Sequence, residues 1–431
     1  MTVLIKQASI ICDKSPFNGS TKDILITDGI ISSIADSINR AADLTIEEPG
    51  LEVSVGWIDI FSHFCDPGYE YKETLESGAM AAAAGGFTDV LLVPNSLPVV
   101  HNKSQVEYIT QRSRDLPVNL LPIGAITKNT EGKELAEMYD MRQSGAAAFS
   151  DGIHAIQSPG ILLKALQYVQ AFHGTVIHMP DDKTIGTHGL VNEGIISTQL
   201  GLPGKPAVAE ELMIARDIEI LRYCTQTSAG QIDTVNRGSQ LHITGVSTEK
   251  GLALIAAAKK EGLSITCSVA PYHALFCDED LVTYDTNLKV NPPLRNRRDM
   301  LAIQQALLAG DIDCIASHHL PQNWDNKVCE FEYAKYGMLG LQTMFAAMRE
   351  IGMTTSAFVE MQTTAARNIF RLSLPALVEG CRASLTLFNS TAEYIFEASA
   401  IQSKSKNSPF IGKKLKGKIK GIINGDKQVI F

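Results

Sequence analysis

The stretch that decides the fold is residues 56–95, GWIDIFSHFCDPGYEYKETLESGAMAAAAGGFTDVLLVPN. It begins with an apolar run at 56–64 and ends with another at 88–95, and both have the length and composition of buried strands. The segment between them, 72–84, is helix-like. A strand, a helix and a second strand in this order form the unit from which parallel sheets are built. The stretch therefore predicts a parallel α/β domain.

The same alternation continues along the chain. The further strand candidates are 118–127, 145–151, 175–180, 240–246, 263–271 and 312–319. The further helix-like segments are 103–114, 132–143, 158–172, 208–224, 248–261, 296–309 and one near 339–350. Eight strand-then-helix units in one domain of about 250 residues or more favour a TIM barrel. A doubly wound sheet is the alternative, but the chain has neither a G-x-G-x-x-G turn nor a Walker-type phosphate loop.

The two chain ends differ from the middle, because apolar and polar residues alternate there around turn signals. The alternating segments are VLIKQASII and DILITDGIISSIA near the start, and ASLTLFN and KGKIKGIINGDKQVIF near the end. We predict that both ends pair into one small β-sandwich domain, formed by 1–54 and 376–431, beside an α/β TIM barrel at 55–375.

Composition excludes several classes of protein. The 431 residues carry 38 Lys and Arg against 47 Asp and Glu, a net charge of −9, and 45% are hydrophobic, as in ordinary globular proteins. The acidic balance argues against coating nucleic acid or an anionic membrane. No window approaches the roughly 18 to 20 apolar residues of a membrane span, and Lys6 interrupts the first apolar run too early for a secretory signal. Both facts favour a reduced, cytoplasmic protein. The eight cysteines are scattered and include no C-x-x-C pair, so neither a disulfide framework nor a zinc ribbon is indicated.

Polar residues cluster where the predicted barrel strands end. In a TIM barrel the working residues lie at the C-terminal ends of the strands. The residues at those ends that could bind a ligand or metal are Asp59, His63, Asn95, Asp151, His178, His318 and His319. The pattern therefore predicts a site at this mouth of the barrel.

Several long motifs resemble the dihydroorotases of the longer type, which belong to the amidohydrolase superfamily. They are the opening stretch itself, GAAAFSDG, NEGIISTQLGLPGKPAVAEELMIARDIE, DTNLKVNPPLR, YGMLGLQT and SKSKNSPFIGKKLKG, in order over nearly the whole chain. The resemblance implies a metal-bearing TIM barrel beside a β-sandwich made of both chain ends. It also implies the interconversion of N-carbamoyl-L-aspartate and dihydroorotate, in which zinc activates a hydroxide and a carboxylate moves the proton.

The family's metal positions are only partly kept in this sequence. His63, Asp151 and His178 stand at three of them. The other three positions carry Phe61, Gly245 and His318, in place of two histidines and of an aspartate that is both ligand and proton shuttle. Phenylalanine and glycine offer no lone pair to a metal. His242 does not replace the histidine missing at 245, because three residues away on a strand it should face the other side.

The substrate positions implied by the resemblance are also mixed. Asn95 and Asn291 are kept, whereas Cys65 stands where the family has an arginine and Gln322 where it has a histidine. The change at 65 removes a charge-assisted, bidentate contact to the substrate carboxylate. No activating base marks Cys65 as a nucleophile.

These positions leave more than one function open, including whether the chain is an enzyme. The first hypothesis is a non-catalytic dihydroorotase homologue without metal, which would act as a structural partner of aspartate carbamoyltransferase. The second is an active cyclic amidohydrolase with a single Zn²⁺ held by His63, Asp151 and His178, with His318 at the acid/base position. The third is a module that binds a metabolite through Asn95 and Asn291. We also expect a homo-oligomer with no nucleic-acid or membrane partner.

Overall fold

The computed structural model describes residues 1–227 and 238–431. Its strands are β1 (Thr2–Ile10), β2 (Thr21–Thr27), β3 (Ile30–Ala35), β4 (Leu44–Ile46), β5 (Glu52–Val55), β6 (Trp57–Ser62), β7 (Phe87–Leu92), β8 (Asn119–Gly124), β9 (Ala148–Phe149), β10 (Val176–His178), β11 (Val191–Asn192), β12 (Gly204–Lys205), β13 (Leu241–Ile243), β14 (Ile265–Val269), β15 (Cys314–Ile315), β16 (Ser384–Ile395), β17 (Lys414–Asn424) and β18 (Lys427–Ile430). Its α-helices are α1 (Leu75–Ala84), α2 (Lys103–Ser113), α3 (Met138–Gln143), α4 (Pro159–Gln170), α5 (Ile195–Leu200), α6 (Val208–Thr227), α7 (Glu249–Lys260), α8 (Arg297–Ala309), α9 (Met344–Glu350), α10 (Thr355–Glu360) and α11 (Ala366–Ile369).

The central domain is a parallel barrel. Within the described residues its eight strands pair in chain order, β6-β7-β8-β9-β10-β13-β14-β15. A parallel bridge between Ser62, at the end of β6, and His319, just beyond β15, brings the first and last strands together. Each of the eight predicted strands is present, and the prediction of a TIM barrel is confirmed.

The first helix shows how the opening stretch produces this packing. Thr74 caps α1 by accepting a hydrogen bond from the backbone N–H of Ser77. The alanines of α1 are small enough to let the helix lie close to the barrel, and most of them are fully buried. Gly78 is needed for the same reason, because a Cβ there would lie 2.5 Å from ring atoms of Phe64.

One predicted helix is shorter than expected. Only Met138–Gln143 of the segment 132–143 is helical. The preceding residues fold back on the end of β8, where the Ala136 N–H donates to the Ile126 carbonyl at 2.8 Å. Gly132, with φ +71°, supplies the left-handed turn of this loop.

The two chain ends form the second domain, as predicted. Their strands make one continuous sheet in the order β18-β17-β16-β5-β1-β2-β3, with β4 paired to β1. The antiparallel β16–β5 pairing joins the C-terminal strands to the N-terminal ones. Buried isoleucine, leucine and valine side chains from both ends form its core. The boundaries 1–54, 55–375 and 376–431 stay a prediction.

The sheet domain packs on the barrel and reaches its mouth. Trp57, at the start of β6, lies 5.3 Å from Phe388 of β16 between ring centroids. The segment after β16 then extends to the mouth, where Asn407 Nδ2 donates to the Leu320 carbonyl at 3.1 Å and the Ser403 hydroxyl donates to buried Glu73. The C-terminal residues therefore support the loops that surround the site. Among the described residues no helix combines the length and the apolar character needed to cross a membrane.

Candidate functional site

The ends of the barrel strands surround a cavity of about 110 Å³. Its walls include Phe61, His63, Asn291, His318 and His319, so it lies at the predicted mouth. Asn95, Asp151 and His178 are buried close by but do not line it. Of the predicted site residues, His63, Asn291 and His318 thus line the cavity, whereas Asn95, Asp151 and His178 are buried outside it.

Both ring nitrogens of His63 are occupied. The Cys65 backbone N–H donates to Nδ1 at 2.9 Å, so the ring proton resides on Nε2. Nε2 in turn donates to the Asn95 carbonyl at 3.1 Å. Burial lowers the pKa of His63 to about 4, so the ring is neutral at pH 7. The ring acts as a link between two loops, and neither lone-pair position is left for another ligand.

Asp151 faces the end of the neighbouring strand. Its Oδ1 accepts from the Thr127 backbone N–H at 2.8 Å and its Oδ2 accepts from the Thr127 hydroxyl at 2.5 Å. Burial raises the pKa of Asp151, and the contacts with Thr127 oppose that rise. Its backbone carbonyl accepts from Asn95 Nδ2 at 3.0 Å. Gly152 permits this arrangement, because a Cβ at 152 would lie only 1.8 Å from Asn95 Oδ1.

His178 is held by a carboxylate that the sequence did not single out. The Ile156 N–H donates to Nε2 at 2.9 Å, and Nδ1 donates to Asp217 Oδ2 at 2.5 Å. Asp217 Oδ1 accepts from Arg216 Nε at 2.9 Å. A sequence signal for Asp217 existed, since it lies on the face of α6 that also carries buried Ile214, Ile218 and Leu221. An acid on the apolar face of a helix indicates a buried partner.

The His318 ring packs against positions 61 and 245, at which the family resemblance implies histidine ligands. Its ring stacks on Phe61, with centroids 4.6 Å apart and planes tilted by 31°. A Cβ at Gly245 would lie 2.9 Å from His318 Cε1, so the ring fills the place of a side chain at 245. The changes at 61, 245 and 318 therefore fit one another.

A chain of hydrogen bonds runs from His318 into the barrel. His318 Nε2 lies 2.9 Å from the Thr244 hydroxyl, which accepts from the Ser268 hydroxyl at 2.9 Å. His242 continues the chain, with Nε2 2.9 Å from Ser268 Oγ and Nδ1 2.9 Å from Thr266 Oγ1. Burial lowers the pKa of both His318 and His242 to about 3. Neutral side chains thus satisfy one another in the barrel interior.

The remaining predicted positions have local partners. Asn291 lines the cavity, and its Oδ1 accepts from Lys205 Nζ at 2.8 Å while its Nδ2 donates to Asp181 at 3.2 Å. Cys65 is buried, which raises the pKa of its thiol to about 12, so it is not an activated nucleophile. Gln322 donates to the Tyr336 carbonyl at 2.8 Å.

A family profile matches part of the chain, and curated relatives match nearly all of it. A family profile described as "Dihydro-orotase-like" matches residues 52–229. A dihydroorotase of Syntrophus aciditrophicus is 35% identical over 426 residues, covering 97% of each chain. A dihydroorotase of Caldanaerobacter subterraneus is 38% identical and covers 97% of this chain and 94% of that relative. The chain belongs to the dihydroorotase family.

Solved structures confirm the fold of this dihydroorotase-family chain. An L-hydantoinase (dihydropyrimidinase) from Arthrobacter aurescens superposes with a TM-score of 0.81 and covers 99% of this chain and 96% of its own. At 23% sequence identity the likeness concerns the fold alone.

The dihydroorotase family implies zinc, and the donor atoms found here do not fit it. Both nitrogens of His63 and both nitrogens of His178 contact protein groups, and the carboxylate of Asp151 is held by Thr127. Phe61 contributes no donor. Among residues 1–227 and 238–431, no group of three or more His, Cys, Asp or Glu side chains is arranged to hold a metal ion. The zinc site at His63, Asp151 and His178 stays a prediction that these contacts disfavour.

Proposed function

We propose that this protein is a dihydroorotase-family member of pyrimidine biosynthesis that no longer catalyses the zinc-dependent reaction. One observation carries the proposal. The side chains at the retained metal positions are hydrogen-bonded to protein groups, and the rings of Phe61 and His318 stack where the missing ligands would stand. Zinc binding needs several free donors in fixed geometry. At this mouth, breaking the existing hydrogen bonds would oppose the assembly of such a set.

A second candidate is an active cyclic amidohydrolase with one zinc ion at His63, Asp151 and His178. The observation in its favour is the similarity to relatives named dihydroorotase, at 35 to 38% identity over nearly their full length. His318 would then have to serve at the acid/base position in place of a carboxylate. Burial lowers the pKa of His318 to about 3, so at pH 7 the ring is neutral and would not act as an imidazolium acid while buried as it is.

One experiment separates the two candidates. Purified protein is incubated with Zn²⁺, dialysed, and assayed for cyclisation of N-carbamoyl-L-aspartate, and its zinc content is measured by elemental analysis. We expect no enzymatic cyclisation, and the same result for His178→Ala and for the control His188→Ala, whose side chain is exposed. Activity that His178→Ala abolishes and His188→Ala preserves would support the zinc enzyme instead.

The partner is a further part of the proposal. A chain that keeps the family's barrel without its chemistry can still act by its surface, and we propose aspartate carbamoyltransferase, the preceding enzyme of the pathway, as its partner. Cytoplasmic location and a homo-oligomeric state belong to the same proposal. Size-exclusion chromatography with light scattering of the two purified proteins, alone and mixed, tests it. Separate elution of the mixture at unchanged masses would contradict the partnership.

A further inference from the structure

The mouth cavity has a wall chemistry that differs from that of a site for an anionic substrate. Among the described residues that line it, none is Lys, Arg, Asp or Glu. Lys205 and Asp181 form a nearby ion pair 2.6 Å apart, and both of these groups also hydrogen-bond to Asn291. Much of the wall is apolar and comes from Phe61, Val93, Ile153, Met179, Val290 and Leu320. A carboxylate placed here would lose its hydration without gaining a cation.

The direction of the buried hydrogen-bond chain determines which nitrogen of His318 carries its proton. Ser268 donates to Thr244, and among the described residues the Thr244 hydroxyl has no acceptor within reach other than His318 Nε2, so we assign its proton to that contact. Ser268 must then accept from His242 Nε2, which leaves His242 Nδ1 to accept from Thr266. Since Nε2 of His318 is an acceptor, the proton of the neutral ring lies on Nδ1. That N–H makes no hydrogen bond to the described residues, and the ring lines the cavity.

A second polar group at the cavity has no partner in the described part of the chain. Tyr272 lines the cavity and is buried, yet no described residue hydrogen-bonds its hydroxyl. The other tyrosine of the wall differs, because the Tyr336 hydroxyl donates to the Gly189 carbonyl at 3.0 Å. Tyr272 and His318 Nδ1 thus offer hydrogen-bond donors beside a largely apolar wall. An acceptor on a ligand would satisfy them.

We infer that the mouth cavity binds a small uncharged ring that carries a carbonyl oxygen. The carbonyl would accept from His318 Nδ1–H and the Tyr272 hydroxyl, and the ring would lie against the apolar wall that includes Phe61. The volume of about 110 Å³ is of the order of the roughly 150 Å³ engineered cavity that holds benzene, so there is room for a single ring. This inference rests on the proposed metal-free state of the site and adds a ligand class to it.

A matched pair of ligands tests the charge requirement. 5,6-Dihydrouracil and dihydroorotate share one ring and differ by a carboxylate. Isothermal titration of the purified protein with each, alongside zinc analysis of the same sample, should show dihydrouracil binding at least about tenfold more tightly than dihydroorotate. Equal or tighter binding of dihydroorotate, or no binding of dihydrouracil to zinc-free protein, would overturn the inference. Bound zinc in the sample would instead contradict the proposed function.

A variant pair tests the hydroxyl. Tyr272→Phe removes an oxygen that has no partner among the described residues, so the variant should fold normally. It should weaken dihydrouracil binding about fivefold, the value of one hydrogen bond. Tyr394→Phe is the control, because Tyr394 is a partly buried tyrosine of the sheet domain. Equal affinities of the wild type and Tyr272→Phe for dihydrouracil would show that this hydroxyl does not contact the ligand.

Discussion

Gly245→Ala should destabilise the protein by more than its backbone conformation alone requires. Gly245 has φ +69°, a conformation that costs an L-residue about 1 to 2 kcal/mol. The new Cβ would also lie 2.9 Å from His318 Cε1. The ring would have to move, which disturbs the 2.9 Å contact between His318 Nε2 and Thr244 and adds about 1 kcal/mol. We expect a total loss of about 2 to 3 kcal/mol in the free energy of unfolding.

Gly201→Ala is a matched control for the backbone term. Gly201 has φ +66°, and nothing lies within 4 Å of the position of its Cβ. The free energy of unfolding of each variant can be measured by urea titration, followed through the fluorescence of buried Trp57. In a His318→Ala background the excess cost of Gly245→Ala should disappear. If Gly245→Ala costs no more than Gly201→Ala, the claim that His318 fills this space is wrong.

Three further predictions concern the same mouth. Phe61→Ala should lower the free energy of unfolding by about 3 to 5 kcal/mol, because it leaves a void beside His318. A loss below about 1 kcal/mol in urea titration would contradict the stacking of Phe61 on His318. Stability should fall on acidification from about pH 6.5 towards pH 4, by up to about 1.4 kcal/mol per pH unit for each buried neutral histidine. In the folded protein the pKa values of His63, His242 and His318 are about 4, 3 and 3, below the ordinary histidine pKa of the unfolded chain. The unfolded chain therefore binds protons first on acidification. A melting temperature unchanged between about pH 7 and pH 5 would refute this. Cys65 should resist iodoacetamide in the folded protein, since burial raises its pKa to about 12; mass spectrometry showing alkylation as fast as in urea would contradict it.

The fold was predictable because apolar runs of strand length recur with helices between them. Even the shortest strands of the barrel, β9 (Ala148–Phe149) and β15 (Cys314–Ile315), fell inside predicted segments, whereas the short pair β11 and β12 was not predicted. The failure at 132–143 arose because the return of 128–136 onto the end of β8 is a tertiary contact that no local pattern shows.

The sequence placed the candidate residues at the barrel mouth, where the structure has a cavity, but it did not show which groups their side chains contact. The substitutions at 61, 245 and 318 could be read as losses, yet their mutual fit depends on where the His318 ring lies. The commitment of His63 to the Asn95 carbonyl links residues 32 positions apart, and the contact of His178 with Asp217 links residues 39 apart. Such pairings follow from the closed barrel and not from the spacing of residues in the sequence.

The zinc content of the purified protein is the most direct test of the central claim, that the donors at the mouth are committed to protein groups. After incubation with Zn²⁺ and dialysis, elemental analysis should find far less than one zinc ion per chain, with no difference between wild type and His178→Ala. One or more zinc ions per chain, lost in His178→Ala, would show that His178 exchanges its hydrogen bonds for a metal and would contradict the claim.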